Sequence, residues 1–281
     1  MTGDAPTPAL EEPEQRSDAG DEPVRARRAG LLTDIRSIGL RGLRAAWRDP
    51  EAVIPPIFVG AFFFAINVGS LQSLAESTDP GFDFKAFQLS TAIVLTVTGI
   101  TRAYGLTLDI QNGYFDKLAL SPVRRPALLL GHMIADFVLA MGLAAAVSLV
   151  AMAVGVRFET GVAGFAAYLV FAGLWSVAYA GVPYALALKT GNPTVVNQSF
   201  LVFFPFAFLT SALVPEEALT GWLATVAKFN PVTYLLRGMR SLVSEGWDIV
   251  PIAQGLAAVV GVGLASHTVA FFALRGRTNA K

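Results

Sequence analysis

The chain has 281 residues and no net formal charge, with 54% hydrophobic and only 15% charged residues. Soluble domains carry about 25% charged residues, so this chain lacks the polar surface that a soluble globule needs, and a lipid bilayer is its expected solvent. The absence of cysteine excludes disulfides, thiolate metal sites and cysteine nucleophiles, and two histidines argue against a multi-histidine metal site within one chain.

Charge is unevenly distributed near the N-terminus. Residues 1–23 hold seven acids and one arginine, whereas residues 24–50 hold seven arginines and two acids. The acidic block is also rich in Pro, Thr and Ala, which predicts a disordered cytoplasmic tail over residues 1–27. It has no basic segment leading into an apolar core, so a cleavable signal peptide is not expected.

Residues 28–52 alternate leucine, isoleucine and tryptophan with arginine at near-helical spacing. This pattern predicts an amphipathic interfacial helix on the cytoplasmic membrane surface. Two compatible roles remain open, an anchor in anionic lipid and a docking surface for a partner protein. The side chains assigned to these roles are Arg36, Arg41, Arg44, Trp47 and Arg48.

Six segments approach the 20 or so apolar residues that cross a bilayer as a helix. They predict an all-α membrane protein whose six-helix domain covers residues 53–275, with an external hairpin region at 216–250 and a cytoplasmic tail at 276–281. The predicted spans are residues 53–74, 86–106, 127–154, 163–187, 198–215 and 251–274.

The distribution of Lys and Arg in the loops predicts the orientation of these spans. The N-terminal flank, the 107–126 loop and the C-terminal tail are basic, whereas the 75–85 and 155–162 loops carry one basic residue each. Both termini are therefore expected in the cytoplasm of a multi-pass plasma-membrane protein. The 216–250 region, with three basic residues, mildly violates the rule.

The sequence of residues 107–126 is TLDIQNGYFDKLALSPVRRP. Asp109 and Asp116 are seven positions apart, which on a helix places both carboxylates on one face, two turns apart. Pro122 disfavours helix at Ser121 and gives the segment a fixed end. The pattern predicts a short helix along the cytoplasmic surface, and an ordinary loop placed by the positive-inside rule remains the alternative.

This segment resembles the acidic–Gly–acidic–Leu–Ser/Thr–Pro loop of ABC-2 type permeases, the membrane subunits of exporters of the daunorubicin-resistance kind. Two further stretches are similar to that family. Trp47-Arg48-Asp49-Pro50 resembles its approach to the first span, and residues 208–243 resemble its signature after the fifth span. The resemblance covers residues 30–275. Asp109 departs from the pattern, because the family more often has Glu or Arg there.

The resemblance implies that a coupling helix between spans two and three fits a groove in a separate ABC ATPase subunit. The sequence contains no Gly-x4-Gly-Lys-Ser/Thr phosphate loop, so ATP and magnesium are expected on that partner and this chain is expected to be non-catalytic. A second permease, identical or paralogous, is expected to complete the complex, together with membrane lipid and no nucleic acid. The implied ATPase-coupling residues are Asp109, Gly113, Phe115, Asp116, Leu118, Ser121 and Pro122.

Ionisable side chains within predicted spans are costly and mark candidate sites. Arg102, near the cytoplasmic end of span two, is expected to extend its charge towards the interface. His132 and Asp136 are four residues apart on one face of span three, and Asp136 is expected to pair with His132 or with Arg102. The cluster is interpreted foremost as a lock between the coupling helix and spans two and three, with a proton relay and a substrate contact as alternatives.

Two further groups of residues are candidates for function. The external hairpin is expected to be partly re-entrant, with Arg237 and Arg240 near lipid phosphates, and its site residues are Asn230, Pro231, Arg237 and Arg240. The family implies that spans two and five line the translocation path. The candidate path residues are Thr98, Thr101, Phe203 and Phe206.

Together these features predict the permease subunit of an ATP-driven exporter of hydrophobic or amphipathic small molecules, such as a drug, an antibiotic or a lipid. A permease for a polysaccharide or glycolipid is one alternative. A proton-coupled secondary transporter that uses Asp136 and His132 is another. The spans lack the internal repeats that secondary transporters often show.

Overall fold

The computed structural model describes residues 30–47, 50–114 and 125–279, and the regular structure in these ranges is helical throughout. A short 3-10 turn (Glu216–Ala218) and a π-helical turn (Ser241–Glu245) flank the two helices between residues 221 and 240. The α-helices are α1 (Leu31–Trp47), α2 (Pro50–Thr78), α3 (Phe84–Thr98), α4 (Ala103–Gln111), α5 (Arg125–Ala153), α6 (Gly161–Thr190), α7 (Pro193–Asn197), α8 (Ser199–Phe208), α9 (Gly221–Phe229), α10 (Pro231–Arg240) and α11 (Ile249–Asn279).

Five helical stretches in the described residues are long and apolar enough to cross a bilayer, at 53–78, 84–111, 130–153, 161–190 and 249–277. The predicted fifth span, 198–215, is helical only over Ser199–Phe208. A helix of ten residues is roughly 15 Å long, half the thickness of the hydrocarbon core. The chain is irregular between Leu209 and Pro215, so the count of six spans stays a prediction.

Span two lies at the centre of the bundle and is broken. Its apolar window is 83% buried, against 11% for α2 and 17% for α11. The sequence predicts one continuous helix over 86–106, but α3 ends at Thr98 and α4 starts at Ala103. The residues between them, from Gly99 to Arg102, form no regular helix. The predicted span at 86–106 is confirmed within the apolar stretch 84–111, but its helix is interrupted.

Small residues allow the helices around span two to approach closely, as in other membrane bundles. A Cβ atom built on Gly181 of α6 would lie 2.4 Å from the backbone of Ser266 in α11. A Cβ atom on Gly173 would lie 2.8 Å from the ring of Phe137 in α5. Because a side chain at either glycine would overlap its neighbour, α6 packs closely on α11 at Gly181 and on α5 at Gly173.

The contacts at the two ends of the bundle show which segments share an end. At one end, Arg41 of α1 pairs with Asp109 of α4, and Gln111 donates to the carbonyl oxygen of Gly191 at 3.0 Å. Arg277 near the end of α11 donates to the nearby Leu188 carbonyl at 3.0 Å. At the other end, residues 79–83, 155–159 and 215–217 line a common cavity. Helix α1 and the end of α11 therefore lie at the same end.

Helix α1 packs on α5 through glycine on both helices. A Cβ atom on Gly39 would lie 3.2 Å from the carbonyl oxygen of Gly131, and one on Gly42 would lie 3.0 Å from the Cβ of Ala135. A Cβ atom on Gly131 would lie 2.6 Å from the Cβ of Ile38. The sequence correctly predicts a helix here, although it does not predict this contact. The placement of α1 on the membrane surface stays a prediction.

We expect Gly131→Val to separate α1 from α5, because the added side chain overlaps Ile38. Overpacking of this kind costs about 1–3 kcal/mol of folding free energy. Thermal unfolding of the purified protein in detergent, followed by circular dichroism, measures the loss.

The matched control is Gly142→Val on the same helix, where a Cβ atom meets nothing within 4 Å among the described residues. An equal loss of stability in both variants would contradict the proposed α1–α5 contact.

Candidate functional site

The first candidate site joins α1 to the end of α4. Arg41 Nη2 lies 2.5 Å from Asp109 Oδ2, and the Arg41 guanidinium lies over the ring of Tyr114, 4.7 Å from its centroid. The pair is partly exposed, so its contribution to stability is about 0–1 kcal/mol. Its importance is positional, because it connects the predicted interfacial helix to the start of the coupling segment, defined here as residues 107–126.

The coupling segment is not one helix. Helix α4 ends at Gln111, and the chain turns at Asn112 and Gly113, where φ is +68°. Glycine adopts this left-handed conformation without steric cost. The turn ends the helix that carries Asp109, and Asp116 lies outside the described residues, so the relative placement of the two carboxylates stays a prediction.

Several predicted coupling and interfacial residues lie outside the described residues, and their roles stay predictions. The structure does place Arg36 and Arg44 on α1 with exposed side chains. It also places Trp47 at the last position of that helix. The residues outside the described ranges are Arg48, Phe115, Asp116, Leu118, Ser121 and Pro122.

The second candidate site is a buried carboxylate at the break in span two. Asp136 of α5 is fully buried, and its Oδ1 accepts a hydrogen bond of 2.7 Å from the backbone N–H of Arg102. Its Oδ2 accepts a hydrogen bond from the hydroxyl of Tyr184 in α6. One side chain therefore connects three spans.

The break explains why a carboxylate is needed there. A new helix start leaves backbone N–H groups without intrahelical acceptors, and in a bilayer each costs several kcal/mol unless it is paired. Asp136 accepts from Arg102, and Thr101 Oγ1 accepts from the Ala103 N–H at 3.1 Å. A side chain from α5 and a local threonine thus cap α4.

The polar cluster predicted from the sequence is brought together, but with different partners. Arg102 contributes its backbone, and its side chain is only 8% exposed rather than extended towards solvent. His132 lies edge-on to the Tyr184 ring, with 6.3 Å between centroids. Sequence reasoning missed Tyr184, although a buried tyrosine hydroxyl usually has a partner and could have indicated it.

The third candidate site lies beside the irregular segment 209–215. Asn230 caps α10 through a hydrogen bond from the Val232 N–H at 3.0 Å, and Pro231 occupies the first turn. The Asn230 amide also donates to the carbonyl oxygens of Phe206 at 2.7 Å and Leu209 at 2.9 Å. Asn230 therefore connects the end of α8 to the start of α10.

Arg240 fixes the same segment from the opposite side. Its guanidinium is buried and donates to the carbonyl oxygen of Ser211 at 2.7 Å and to Thr91 Oγ1 at 3.3 Å. It also lies over the Phe87 ring, 3.5 Å from the centroid. Burial lowers the pKa of Arg240 to about 9, so the group remains charged at neutral pH. The prediction that Arg240 contacts lipid phosphates is wrong, because protein atoms surround it.

Arg237 pairs with an acid that the sequence analysis did not single out. Its guanidinium makes two hydrogen bonds to the carboxylate of Glu216, and these bonds raise the pKa of Arg237. The Arg237 side chain is 35% exposed, so this pair is screened by solvent, unlike the contacts of Arg240.

The four predicted path residues fall into two environments. Thr98 accepts a hydrogen bond of 2.8 Å from the Trp175 indole, and Thr98 and Thr101 both line a cavity of about 400 Å³ between α2, the broken span and α7–α8. Phe203 is buried against Trp175, whereas Phe206 is 53% exposed. The role of all four in transport stays a prediction.

This architecture, a helical bundle with five apolar spans and polar contacts at a broken central helix, defines a multi-pass membrane protein. The profile of the ABC-2 type transporter family matches residues 33–243. The chain therefore belongs to the ABC-2 type transporter family, and it is a transmembrane permease subunit of an ABC transporter.

Three relatives agree with this assignment. The daunorubicin resistance ABC transporter permease protein DrrB1 of Streptomyces coeruleorubidus is 24% identical over 88% of this chain and 86% of its own length. The probable doxorubicin resistance ABC transporter permease protein DrrC of Mycobacterium tuberculosis is 24% identical over 76% of this chain and 78% of its own. The putative transport permease ycf38 of Pyropia yezoensis is 25% identical over 78% and 77%, respectively.

We expect Arg240→Met to release segment 209–215, because several buried acceptors lose a charged donor at once. Losses of this kind cost about 2–5 kcal/mol. The midpoint of thermal unfolding in detergent measures the effect.

Arg237→Met on the same helix is the control, since it removes a half-exposed pair worth about 1 kcal/mol or less. A larger loss for Arg237→Met than for Arg240→Met would contradict the assignment.

The Arg41–Asp109 pair predicts a charge-swap rescue. Arg41→Asp and Asp109→Arg should each separate α1 from α4, because like charges then face each other, and the double variant should restore the contact. Limited proteolysis at the arginines of α1 measures accessibility. Equal cleavage of the single and double variants would show that the pair does not hold α1.

Proposed function

We propose that this chain is the permease subunit of an exporter that moves hydrophobic or amphipathic small molecules, powered by a separate ATPase subunit. The observation that carries the proposal is the continuity between the coupling segment and the centre of the bundle. Asp109 in that segment and Arg102 at the break lie at opposite ends of the nine-residue helix α4. A motor protein that displaces this segment would therefore act directly on span two.

The arrangement of the chain supports six crossings with both termini in the cytoplasm. Helix α1 and the end of α11 share one end of the bundle, and Gly191 lies there too. Glu216 lines the cavity at the opposite end. The chain between Gly191 and Glu216 therefore traverses the bundle, with α7, α8 and the irregular segment 209–215 as a fifth, partly helical crossing.

The cavity beside the break supports an amphipathic cargo. Its volume of about 400 Å³ lies in the range of small-molecule sites. Its lining combines the hydroxyls of Thr98, Thr101 and Ser199 with the apolar Pro56 and Phe200. Hydroxyl and apolar walls favour a drug, an antibiotic or a lipid over a sugar polymer, and two of the relatives are named for daunorubicin or doxorubicin resistance.

A second permease is proposed to cover the outward faces of α2 and α8. Phe58 and Phe62 of α2 stack with their ring centroids 5.6 Å apart, and both are more than half exposed. Leu201 and Phe206 of α8 are similarly exposed. Whether the partner is identical or paralogous does not change the mechanism.

The contacts of Asp136 favour a structural lock over a proton relay. Both carboxylate oxygens already accept hydrogen bonds from donors on neighbouring spans. A relay needs a group that exchanges protons with a chain of neighbours, whereas this carboxylate has the fixed surroundings of a helix cap.

Co-purification in mild detergent tests the ATPase partner. We expect a stoichiometric ABC ATPase to accompany the chain, and we expect Asp116→Arg or Leu118→Asp in the coupling segment to lower the complex's ATPase activity about tenfold or more, because each would disrupt the proposed contact with the ATPase. Asp79→Arg, a charge reversal on an exposed residue at the opposite end, is the control. Transport by the purified chain without any ATPase would refute the proposal.

Uptake into inside-out vesicles tests the cargo. Vesicles that hold the complex should accumulate daunorubicin when ATP is added. The quenching of daunorubicin fluorescence measures this uptake, and Asp116→Arg should abolish it. ATPase activity without any uptake would contradict daunorubicin as cargo. The same assay would then be carried out with fluorescent lipids.

A further inference from the structure

Helix α4 is a short rod whose two ends are fixed to different partners. Its nine residues span roughly 14 Å. At its cytoplasmic end, Asp109 pairs with Arg41 of α1, and Gln111 donates to Gly191 at the end of α6. At its other end, the N–H of Arg102 donates to Asp136 of α5.

The break gives the rod a pivot. Between Thr98 and Ala103 the chain forms no regular helix, so backbone rotation there can change the angle between α3 and α4. Gln111 already joins one end of α4 to Gly191 at the end of α6. At the pivot itself, a displacement of the coupling segment would be absorbed unless a further contact held that end of α4 to α5 and α6.

Asp136 and Tyr184 provide that contact. One oxygen of the Asp136 carboxyl group accepts the N–H of Arg102, the residue just before α4, and the other accepts the Tyr184 hydroxyl. Both residues are buried: Asp136 is fully buried, and Tyr184 is 1% exposed. Because each oxygen of the Asp136 carboxyl group has a hydrogen-bond partner on another helix, the orientation of the group is fixed.

From Tyr184 the contact continues into the rest of the bundle. Tyr184 lies one turn from Gly181, whose Cα approaches the backbone of Ser266 in α11. On the same helix, the Trp175 indole donates to Thr98 at the end of α3. Helix α6 is thus bonded directly to the end of α3, and through Asp136 of α5 it is connected to Arg102 at the start of α4.

We propose that Asp136 and Tyr184 are positioning residues that turn α4 into a lever, so that a displacement of the coupling segment moves α5 and α6 rather than dissipating at the break. This rests on the proposed function, since it needs a motor at the coupling segment. Asp136 holds the end of the lever, and Tyr184 carries its movement to α6. Neither residue contacts cargo or nucleotide in this scheme.

Hydrogen–deuterium exchange of the full complex tests the lever, without and with trapping by ATP plus vanadate. In the wild type, trapping is expected to change exchange both in α4 and in α3 and α6. In Tyr184→Phe, the change is expected to remain in α4 and to become smaller in α3 and α6, because the contact at the break is lost while the Gln111–Gly191 contact is kept. In Asp136→Asn, the amide of Arg102, just before α4, should also exchange about tenfold faster in the untrapped state, because its hydrogen bond to this side chain is weakened.

Tyr168→Phe is the matched control. Tyr168 is another fully buried tyrosine of α6, and its hydroxyl faces Ser90 of α3 at 3.5 Å, away from the break. This variant should keep the wild-type response. If the Asp136→Asn chain does not assemble into the complex, Tyr184→Phe alone tests the lever. That variant removes only the tyrosine hydroxyl and leaves the hydrogen bond from Arg102 to Asp136 in place.

The outcomes separate the lever from the proposed function. A trapped Tyr184→Phe complex that still changes exchange in α3 and α6 as the wild type does would overturn the lever while leaving the ATPase-driven permease intact. A wild-type chain that purifies without an ATPase would refute the proposed function. The untrapped exchange of Asp136→Asn would still test whether Asp136 holds α4, and wild-type rates there would overturn the lever.

Discussion

The structure depends on the requirement that every backbone polar group inside a bilayer has a hydrogen-bond partner. An unbroken helix meets that requirement by itself, but span two does not, because it stops at Thr98 and restarts at Ala103. The carboxylate of Asp136 and the hydroxyl of Thr101 supply the missing acceptors. An ionisable side chain that would be costly elsewhere in the membrane therefore has a structural role at this position, and its second oxygen connects the break to α6.

The same requirement shapes the other end of the bundle. The chain leaves helical structure after Phe208, and its carbonyl groups find donors in Asn230 and Arg240. In both places one side chain from another helix satisfies the exposed backbone and fixes its path. The two irregular segments lie on span two and after α8, where helical irregularity is tolerated because protein surrounds the free backbone groups. The irregular segment of span two also borders α4, which is proposed to move with the coupling segment.

The helices and the polar residues of the spans could be predicted from the sequence, whereas their partners could not. Apolar runs of about 20 residues predict spans by length alone, and Asp136 and His132 are conspicuous within such runs. The break was missed because Gly99 and Thr101 are common within membrane helices and no proline marks it. Tyr184, Ser211 and Glu216 were missed because hydrogen bonds and ion pairs between distant segments leave no local pattern. The spacing of Asp109 and Asp116 predicted a shared helix face, but spacing does not reveal where a helix ends, and α4 ends at Gln111 before the turn at Gly113.

The glycine contact between α1 and α5 has a consequence for the order of assembly. Gly39 is synthesised about ninety residues before its partner Gly131, so at 5–20 residues per second α1 waits on the order of ten seconds for the surface it packs against. During that interval its apolar face has no protein to cover it. An arginine-rich amphipathic helix is suited to that wait, because lipid can hold it in place. The basic residues of α1 thus belong to the biogenesis of the protein as much as to its finished form.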